Sequence, residues 1–460
     1  MATNELKVVP EVMDKIVSLC KRRGFVYQNS EIYGGIQGFY DYGPLGVEMK
    51  SNIKRLWWHW MTQEHENVVG IDGAIIAHPK VWEASGHVQN FTDPLVDCKK
   101  CKKRFRADHL IEEMAIEETG STDEDFITKL TKVLKEKKCP ECGGELTEPR
   151  RFNLLVETSL GVVEGEKKTA YLRGEACQNI YLNYQNVLDS MHLKIPFGIC
   201  QIGKAFRNEI TPKQFLFRQR EFEQWDLQWF VNPKEMEKWY EYWKEERIKW
   251  YKSLVNRQEN LRFRQHEKSE LAHYAKVAFD IEYNSPFGWK EWEGIHWRGD
   301  WDLSRHSQYS GKDFTYTDQE TGEKFIPWIV ETSGGVDRTF LFLMIDGYVE
   351  EKDRVILKLK PKLAPYKIAV FPLLSNKPEL VALAKKIYED LKVEFMTAWD
   401  DRGNIGKRYY SQDEIGTPWC VTVDFQSLED RTVTVRDRDT TKQERVGIDK
   451  LLNYFQNLLK

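Results

Sequence analysis

The chain has 460 residues, enough for two or three domains, each with its own core. Its 68 lysines and arginines against 72 aspartates and glutamates leave a formal charge of −4, which excludes a globally cationic nucleic-acid binder and confines contact with any polyanion to local basic patches. No apolar run reaches about 18 residues, and Met1-Ala-Thr-Asn-Glu-Leu-Lys7 carries no cationic segment leading into an apolar one, so the expectation is a soluble, cytoplasmic protein with no membrane association.

Residues 10–23 predict a first helix, with Pro10 at its start and Gly24 just past its end. A glycine- and tyrosine-rich stretch, Tyr33 to Gly46, leads into a long amphipathic helix over 47–65, apolar at Val47, Ile53, Leu56, Trp57, Trp60 and Met61. Opened by Pro44, that helix has two uses available: docking against a second copy across a twofold axis, or packing on the core.

The stretch 91–147 is densely charged, interrupts the pattern and reads as an insertion. It holds two CxxC pairs, Cys98-Lys-Lys-Cys101 and Cys139-Pro-Glu-Cys142, the second followed by Gly143-Gly144, whereas Cys20, Cys177, Cys200 and Cys420 are scattered. Each knuckle puts two sulfurs on one side of a tight turn, so the four suit a tetrahedral Zn2+ with no open position, a structural metal. The alternatives are four free thiols or a disulfide pair, and the latter does not suit a cytosolic protein. The charge pattern of 108–138 predicts a helical excursion between the knuckles.

Strand patterns resume at 152–156, 198–207 and 215–230, aromatic and partly alternating, and predict an antiparallel sheet. A second insertion, 232–278, carries a helix from Pro233 to Leu254 with Trp239, Tyr242, Trp243, Trp250 and Leu254 on one stripe; packing is the expected use and a base-stacking platform the alternative. The sheet returns near 325–330, runs into Ser333-Gly334-Gly335 and passes into a helix over 336–345 with Arg338 in its first turn. Beyond Pro361 and Pro365, strands at 367–371, 394–397, 418–424 and 431–438 alternate with helices at 378–391, 403–414 and 447–459, which predicts a separate α/β domain. The fold class is therefore α/β, or α+β for the larger part.

Three distant stretches share one chemistry: Phe206-Arg207-Asn208-Glu209, then Phe217-Arg218-Gln219-Arg220-Glu221-Phe222, and Ser333-Gly334-Gly335-Val336-Asp337-Arg338. Activating a carboxylate on the α-phosphate of ATP needs fixed cations on the phosphates, a flat face for adenine and a turn narrow enough for a ligand to approach backbone. The three arginines, Phe222 and the glycine pair supply these. A lone arginine is usually a surface ion pair, but three at this spacing are not.

These residues resemble the motifs of class II aminoacyl-tRNA synthetases, and the chain looks like the bacterial-type dimeric glycyl-tRNA synthetases along nearly its whole length. The helix after Pro44 is similar to the first, dimerising motif, 206–222 to the second and 335–338 to the third. Residues 78–87 (His-Pro-Lys-Val-Trp-Glu-Ala-Ser-Gly-His), 105–109 (Phe-Arg-Ala-Asp-His), 220–224, Asp302 to His306 and Arg402 to Pro418 resemble stretches of the same enzymes.

The resemblance implies a class II antiparallel sheet flanked by helices and split by insertions. Residues 1–90, 151–231 and 279–360 would form the catalytic domain, 91–150 a zinc-binding insertion, 232–278 a helical insertion and 361–460 an anticodon-binding domain. It implies a homodimer that joins glycine to its tRNA through glycyl-adenylate. Arg207 and Arg338 would be catalytic, and the ATP site would comprise Arg207, Asn208, Glu209, Phe217, Arg218, Phe222, Glu291, Trp292, Gly335, Asp337 and Arg338. Phe222 would lie under adenine with Arg338 on its other face, and Glu291 would serve Mg2+. Glycine would meet Arg106, Glu175, Phe222, Gln224, Asp226, Glu331, Ser333 and Gly335. The pattern departs from the family's at Gly174, Ala176 and Cys177, at Thr332 and Gly334, and at Asp226, where glutamate is usual.

Basic residues of the last domain, Lys407, Arg408, Arg436 and Arg438, would be available to an anticodon. Rival readings are a class II enzyme for another small amino acid, a non-catalytic synthetase-like nucleic-acid-binding subunit, and a nucleotide-binding oxidoreductase suggested by the glycines from Gly34 to Gly46. The retained arginines weigh against the second, and no strand followed by GxGxxG and a helix supports the third.

Overall fold

The aromatic, alternating runs on either side of the arginine motifs form one sheet. A computed structural model describes residues 5–107, 110, 123–162, 167–212, 214–267, 271 and 275–459. The seven strands of this sheet are β1 (Val68–Gly70), β2 (Phe197–Phe206), β3 (Glu221–Val231), β4 (Leu261–Gln265), β5 (Val277–Ser285), β6 (Gly288–Gly299) and β7 (Trp328–Gly335), in the order β4-β5-β6-β7-β3-β2-β1. All neighbours are antiparallel except the edge strand β1, which runs parallel to β2. The stretch 232–278 thus gives the sheet an edge strand, β4, as well as a helix.

The helices of this part of the chain are α1 (Glu5–Arg23), α2 (Pro44–Gln63), α3 (Pro79–Ala84), α4 (His87–Asn90), α5 (Asp123–Leu134), α6 (Gln178–Leu182), α7 (Tyr184–Met191), α8 (Met236–Leu254), α9 (Trp301–Ser310) and α10 (Val336–Gly347). Proline signals place α2 well, with Pro44 in its first turn. α1 begins at Glu5, earlier than Pro10.

One face of the sheet is covered by α2, α8 and α10 through a tryptophan-rich core that includes Trp57, Trp60, Trp225, Trp243, Trp250 and Phe340. Trp57 stacks on Trp225 with centroids 5.5 Å apart and planes 10° from parallel. Of the stripe on α8, Trp243, Trp250 and Leu254 are core, each buried aromatic contributing about 1.5–3 kcal/mol, whereas Trp239 is partly buried and Tyr242 exposed, and Tyr240 and Tyr251 are buried instead. On the opposite face α6, α7 and α9 pack over one end, around Tyr181, Tyr184, Phe230, Leu303 and Ile329. The rest of that face is left to a cavity.

In the first insertion, strands Arg104–Arg106, Thr92–Asp97 and Arg150–Asn153 make a small sheet against which α5 buries Leu130 and Leu134. The C-terminal domain has β8 (Ile368–Pro372), β9 (Thr397–Trp399), β10 (Trp419–Val423), β11 (Thr432–Asp437) and β12 (Gln443–Gly447) in the order β9-β8-β10-β11-β12. Helices α11 (Pro378–Lys392), α12 (Ile405–Ile415), α13 (Phe425–Asp430) and α14 (Leu451–Leu458) complete it. α13 and β12 escape the sequence pattern because both are short and polar. Among the described residues no helix is long and apolar enough to cross a membrane.

The arginines of this domain correct an expectation. Arg408, Arg436 and Arg438 are 2 %, 5 % and 2 % exposed. Arg408 holds the carbonyls of Asp401, Arg402 and Gly403. Arg436 and Arg354 share the carboxylate of Asp413 at 2.7–2.9 Å, and Arg438 reaches the carbonyls of Gly416 and Leu359, both at 2.8 Å. Arg408 and Arg436 bond within the domain, Arg438 also ties it to Leu359, and none of the three is available to RNA; Lys407 alone of the four is exposed.

Candidate active site

Alternation along the strands decides which side chains meet. Facing pairs Asp226 and Ser333, Gly294 and Ser333, and His296 and Glu331 lie on one face of the sheet, joined by Phe222 and Gln224 further along β3. A bulge at Trp292 alters the alternation in β6: Glu282 faces Glu291 while Ile281 faces Glu293. Glu291 thereby joins the cavity face and Glu293 the other. The resulting cavity of about 250 Å³ is lined by the three arginines of the motifs, by Glu175, Glu209, Glu291 and Glu331, and by Phe217, Phe222, Gln224, His296, Ser333, Gly335 and Asp337.

One end is cationic. Arg207 donates Nε to the carbonyl of Gly174 at 3.1 Å and lies between the rings of Phe91 and Phe222, 5.2 and 5.4 Å from their centroids. Arg218 Nη1 is 3.9 Å from Glu209 Oε2. Arg338, in the first turn of α10, reaches the Glu291 carbonyl at 2.8 Å and its carboxylate at 3.1 Å. Its guanidinium covers Phe217 at 4.4 Å, and it lines the same cavity as Phe222. Asp337 faces inward: Tyr42, Lys50 at 2.6 Å and the backbone N–H of Glu223 take its oxygens, tying α2 to the turn that carries Arg338.

The other end is anionic. Glu331 accepts from His296 Nδ1 at 2.6 Å, from Arg298 Nη1 at 3.0 and 3.1 Å and from Gln228 at 2.9 Å. Burial would raise its carboxyl, but Arg298 and His296 draw it down to about 2. Asp226, fully buried and deeper on the same face, accepts from Gln228 through one oxygen, while Oδ2 has no hydrogen-bond partner. Burial first, then the nearby Glu331 charge, push its carboxyl well above the usual range. Glu209 Oε2, at the arginine end, is likewise buried without a hydrogen-bond partner.

Some expected members lie elsewhere. Arg106 is in the insertion, 3.0 Å from Asp93, and does not line the cavity. Trp292 is the bulged residue and is buried in the tryptophan core, donating Nε1 to Thr339 at 2.8 Å. Asn208 is exposed and its backbone N–H bonds the Leu154 carbonyl at 2.8 Å. Asp108 and His109 fall outside the described residues. Conversely, Phe91, His296 and Arg298 had no expected role. Arg298, at the end of β6, pairs with Asp302 in the first turn of α9, Nε to Oδ2 at 2.8 Å.

In the insertion the four knuckle sulfurs gather. Cys98 and Cys142 Sγ are 3.5 Å apart, Cys101 and Cys139 Sγ 3.7 Å, and all four lie within 4.8 Å of one another. Gly143 has φ +66°, and a Cβ on Gly144 would stand 3.0 Å from Cys98 Sγ and 2.6 Å from Lys100 Cβ, so both glycines are needed to close the knuckle.

Three family models match the chain: the tRNA synthetase class II core domain (G, H, P, S and T) over residues 161–347, the glycyl-tRNA synthetase insertion domain 1 over 93–138, and the anticodon binding domain over 367–458. The glycine–tRNA ligase of Treponema denticola is 52 % identical over 458 residues, covering 97 % of each chain. That of Caldanaerobacter subterraneus subsp. tengcongensis is 51 % identical, over 98 % of this chain and 99 % of its own. The chain belongs to the glycine–tRNA ligase family. The enzyme of Geobacillus kaustophilus is 50 % identical over 96 % of this chain and 98 % of its own.

Within the glycine–tRNA ligase pattern, the departure at Gly334 has a steric reason in this chain. A Cβ there would meet Trp225 Nε1 at 2.6 Å and Glu293 Oε2 at 2.9 Å. Trp225 already donates Nε1 to Glu293 at 3.0 Å, so the indole occupies the space an alanine would need.

Proposed function

We propose that the cavity activates glycine with ATP and that the protein then transfers it to its tRNA. The observation carrying this reading is the cavity's polarity: three arginines at one end and carboxylates at the other, with an unpaired buried oxygen on Glu209 in the lining and another on Asp226, outside the lining but within 4.8 Å of Glu331. A buried acceptor left unpaired costs about 1–3 kcal/mol, so a ligand that brings donors to both ends is favoured. Adenine offers its amino group to Glu209, and the ammonium of glycine offers its protons to Asp226, Glu175 and Glu331.

In the first step a glycine carboxylate oxygen bonds to the α-phosphorus as the bond to the bridging oxygen breaks and pyrophosphate leaves. Arg207 faces the charge that develops on the α-phosphate, and Arg218 and Arg338 hold the departing phosphates in line. Phe222 offers a flat face to adenine. Glu291, paired with Arg338, would be the carboxylate to hold a Mg2+, which would supply further positive charge to the phosphates. In the second step a terminal ribose hydroxyl of tRNA attacks the glycyl carbonyl and AMP leaves. Glycine is selected by size, because the ring of His296 and the bonded pairs around Glu331 leave little room beside its α-carbon.

Zinc fits the knuckles. Four thiolates about 2.3 Å from a tetrahedral Zn2+ lie about 3.8 Å apart, close to the 3.5 Å between Cys98 and Cys142 and the 3.7 Å between Cys101 and Cys139. Cys98, Cys101, Cys139 and Cys142 would hold it as a structural ion. The chain is further proposed to act in the cytoplasm as a homodimer through α2, with 91–150 turned to the acceptor arm and 361–460 to the anticodon.

The test is amino-acid-dependent exchange of labelled pyrophosphate into ATP across the standard amino acids. Exchange with glycine alone is expected. Exchange with a different amino acid would overturn the specificity, and none with any would favour a binding subunit.

A further inference from the structure

Two stretches prominent in the sequence, residues 78–87 and 302–306, contribute nothing to the cavity wall, yet each ends in a histidine buried behind it, His87 and His306. His87 Nε2 lies 3.2 Å from Glu175 Oε1. The same oxygen accepts from Cys177 Sγ at 2.9 Å and from Gln178 Nε2 at 3.1 Å. A carboxylate only accepts, so the proton of the first contact belongs to His87 Nε2, and the other ring nitrogen faces Ser85 Oγ at 2.8 Å. Trp82 and Phe91 hold the imidazole edge-on, each with its centroid 5.1 Å away, and Asn153 Nδ2 bonds the His87 carbonyl at 3.2 Å.

The same backing continues to the second carboxylate. Gln178 accepts from His306 Nε2 at 2.9 Å and donates to Asp302 at 3.3 Å, Asp302 pairs with Arg298, and Arg298 reaches Glu331. Burial would raise the Glu175 carboxyl, but His87, Arg298 and the Cys177 thiol hold it well below the usual range. Three donors converging on one oxygen leave the carboxylate little freedom to rotate. With Oε1 occupied from the protein side, Oε2 is the oxygen left to the cavity that Glu175 lines.

We propose that His87 is a positioning residue for the amino acid: it never touches substrate, but through Ser85, Trp82 and Phe91 it fixes the rotation of Glu175 so that Oε2 receives the glycine ammonium. This rests on the reading of the cavity as a glycine-activating site. Ordinary core packing would make His87 matter for stability alone; a positioning role makes it matter for one substrate and only through Glu175.

The experiment is pyrophosphate exchange with KM for glycine and for ATP measured separately in wild type, His87→Ala, His87→Gln and Glu175→Gln. His87→Ala is expected to raise the glycine KM about 10-fold or more, the scale of a lost hydrogen bond to a charged group, with the ATP KM within about twofold. His87→Gln, which keeps an N–H donor at comparable reach, is expected to recover most of the loss. Added to Glu175→Gln, His87→Ala should cost little more. An unchanged glycine KM in His87→Ala, an equal rise in both constants, or full additivity with Glu175→Gln would overturn the role. Should His87→Ala not fold, His87→Asn, whose shorter amide stops short of Glu175, replaces it in the same comparison. A wild-type protein inactive with glycine would overturn the reading of the cavity and this role with it, a result separate from a silent His87 variant in an active enzyme.

Discussion

The two faces of the seven-stranded sheet treat buried charge in opposite ways. On the helix-packed face, Glu293 accepts from Arg247, from Trp225 at 3.0 Å and from Tyr251 at 2.7 Å, and it and Arg247 are 0 % exposed. The rest of the Arg247 guanidinium lies against Trp60 and Trp250, 4.9 and 4.6 Å from their centroids. On the cavity face, Asp226 and Glu209 each keep an oxygen without a donor. Both faces belong to the same strands, sometimes to adjacent residues. The difference teaches that burial and charge do not mark a site, and neither does an unpaired polar atom alone, since Arg247 Nη1 also lacks a hydrogen-bond partner; an unpaired carboxylate oxygen on the cavity face does.

That contrast can be broken from either side. Arg338→Ala removes a cation from the cavity face, and glycine-dependent exchange is expected to fall by about 10²–10³ with the melting temperature nearly unchanged. Glu293→Ala strips the other face and should do the reverse in kind: about 3–5 kcal/mol of stability lost in denaturant unfolding, because Arg247 is left buried and uncompensated. Gly334→Ala pushes a methyl into Trp225 and Glu293 and is expected to cost about 1–3 kcal/mol by overpacking.

A gentler probe is pH. The Asp226 carboxyl is raised by burial and by Glu331, so in the empty site it holds a proton above the ordinary carboxylate pKa of about 4. An ammonium beside it favours the ionised form, so glycine binding releases that proton. The glycine KM should therefore fall as pH rises above about 4, and Asp226→Asn should flatten the dependence.

Much of this architecture is legible in the amino-acid sequence. The cysteine knuckles, the stripe on α8 and the glycine pair leading into α10 are local patterns, and residue type and spacing suffice for those. The roles of Arg408, Arg436 and Arg438 are not legible, because an arginine facing RNA and one holding buried carbonyls look alike in sequence. The bulge at Trp292 is equally hidden: one extra residue in β6 changes no composition, yet it sends Glu291 to the cavity and Trp292 to the core. β4 hides inside a stretch that reads as helical, although Leu261-Arg-Phe-Arg-Gln265 alternates as an edge strand should. His87 carries a resemblance but no role, since its partner Glu175 is far along the chain and only the fold brings them together.

The most direct measurement is the pair of Michaelis constants for exchange in Asp226→Asn and Glu209→Gln. If the two unpaired oxygens await the two ends of the substrate, Asp226→Asn raises the glycine constant and leaves that for ATP near wild type, while Glu209→Gln does the opposite. Variants that change both constants together, or neither, would contradict the assignment of one oxygen to each substrate.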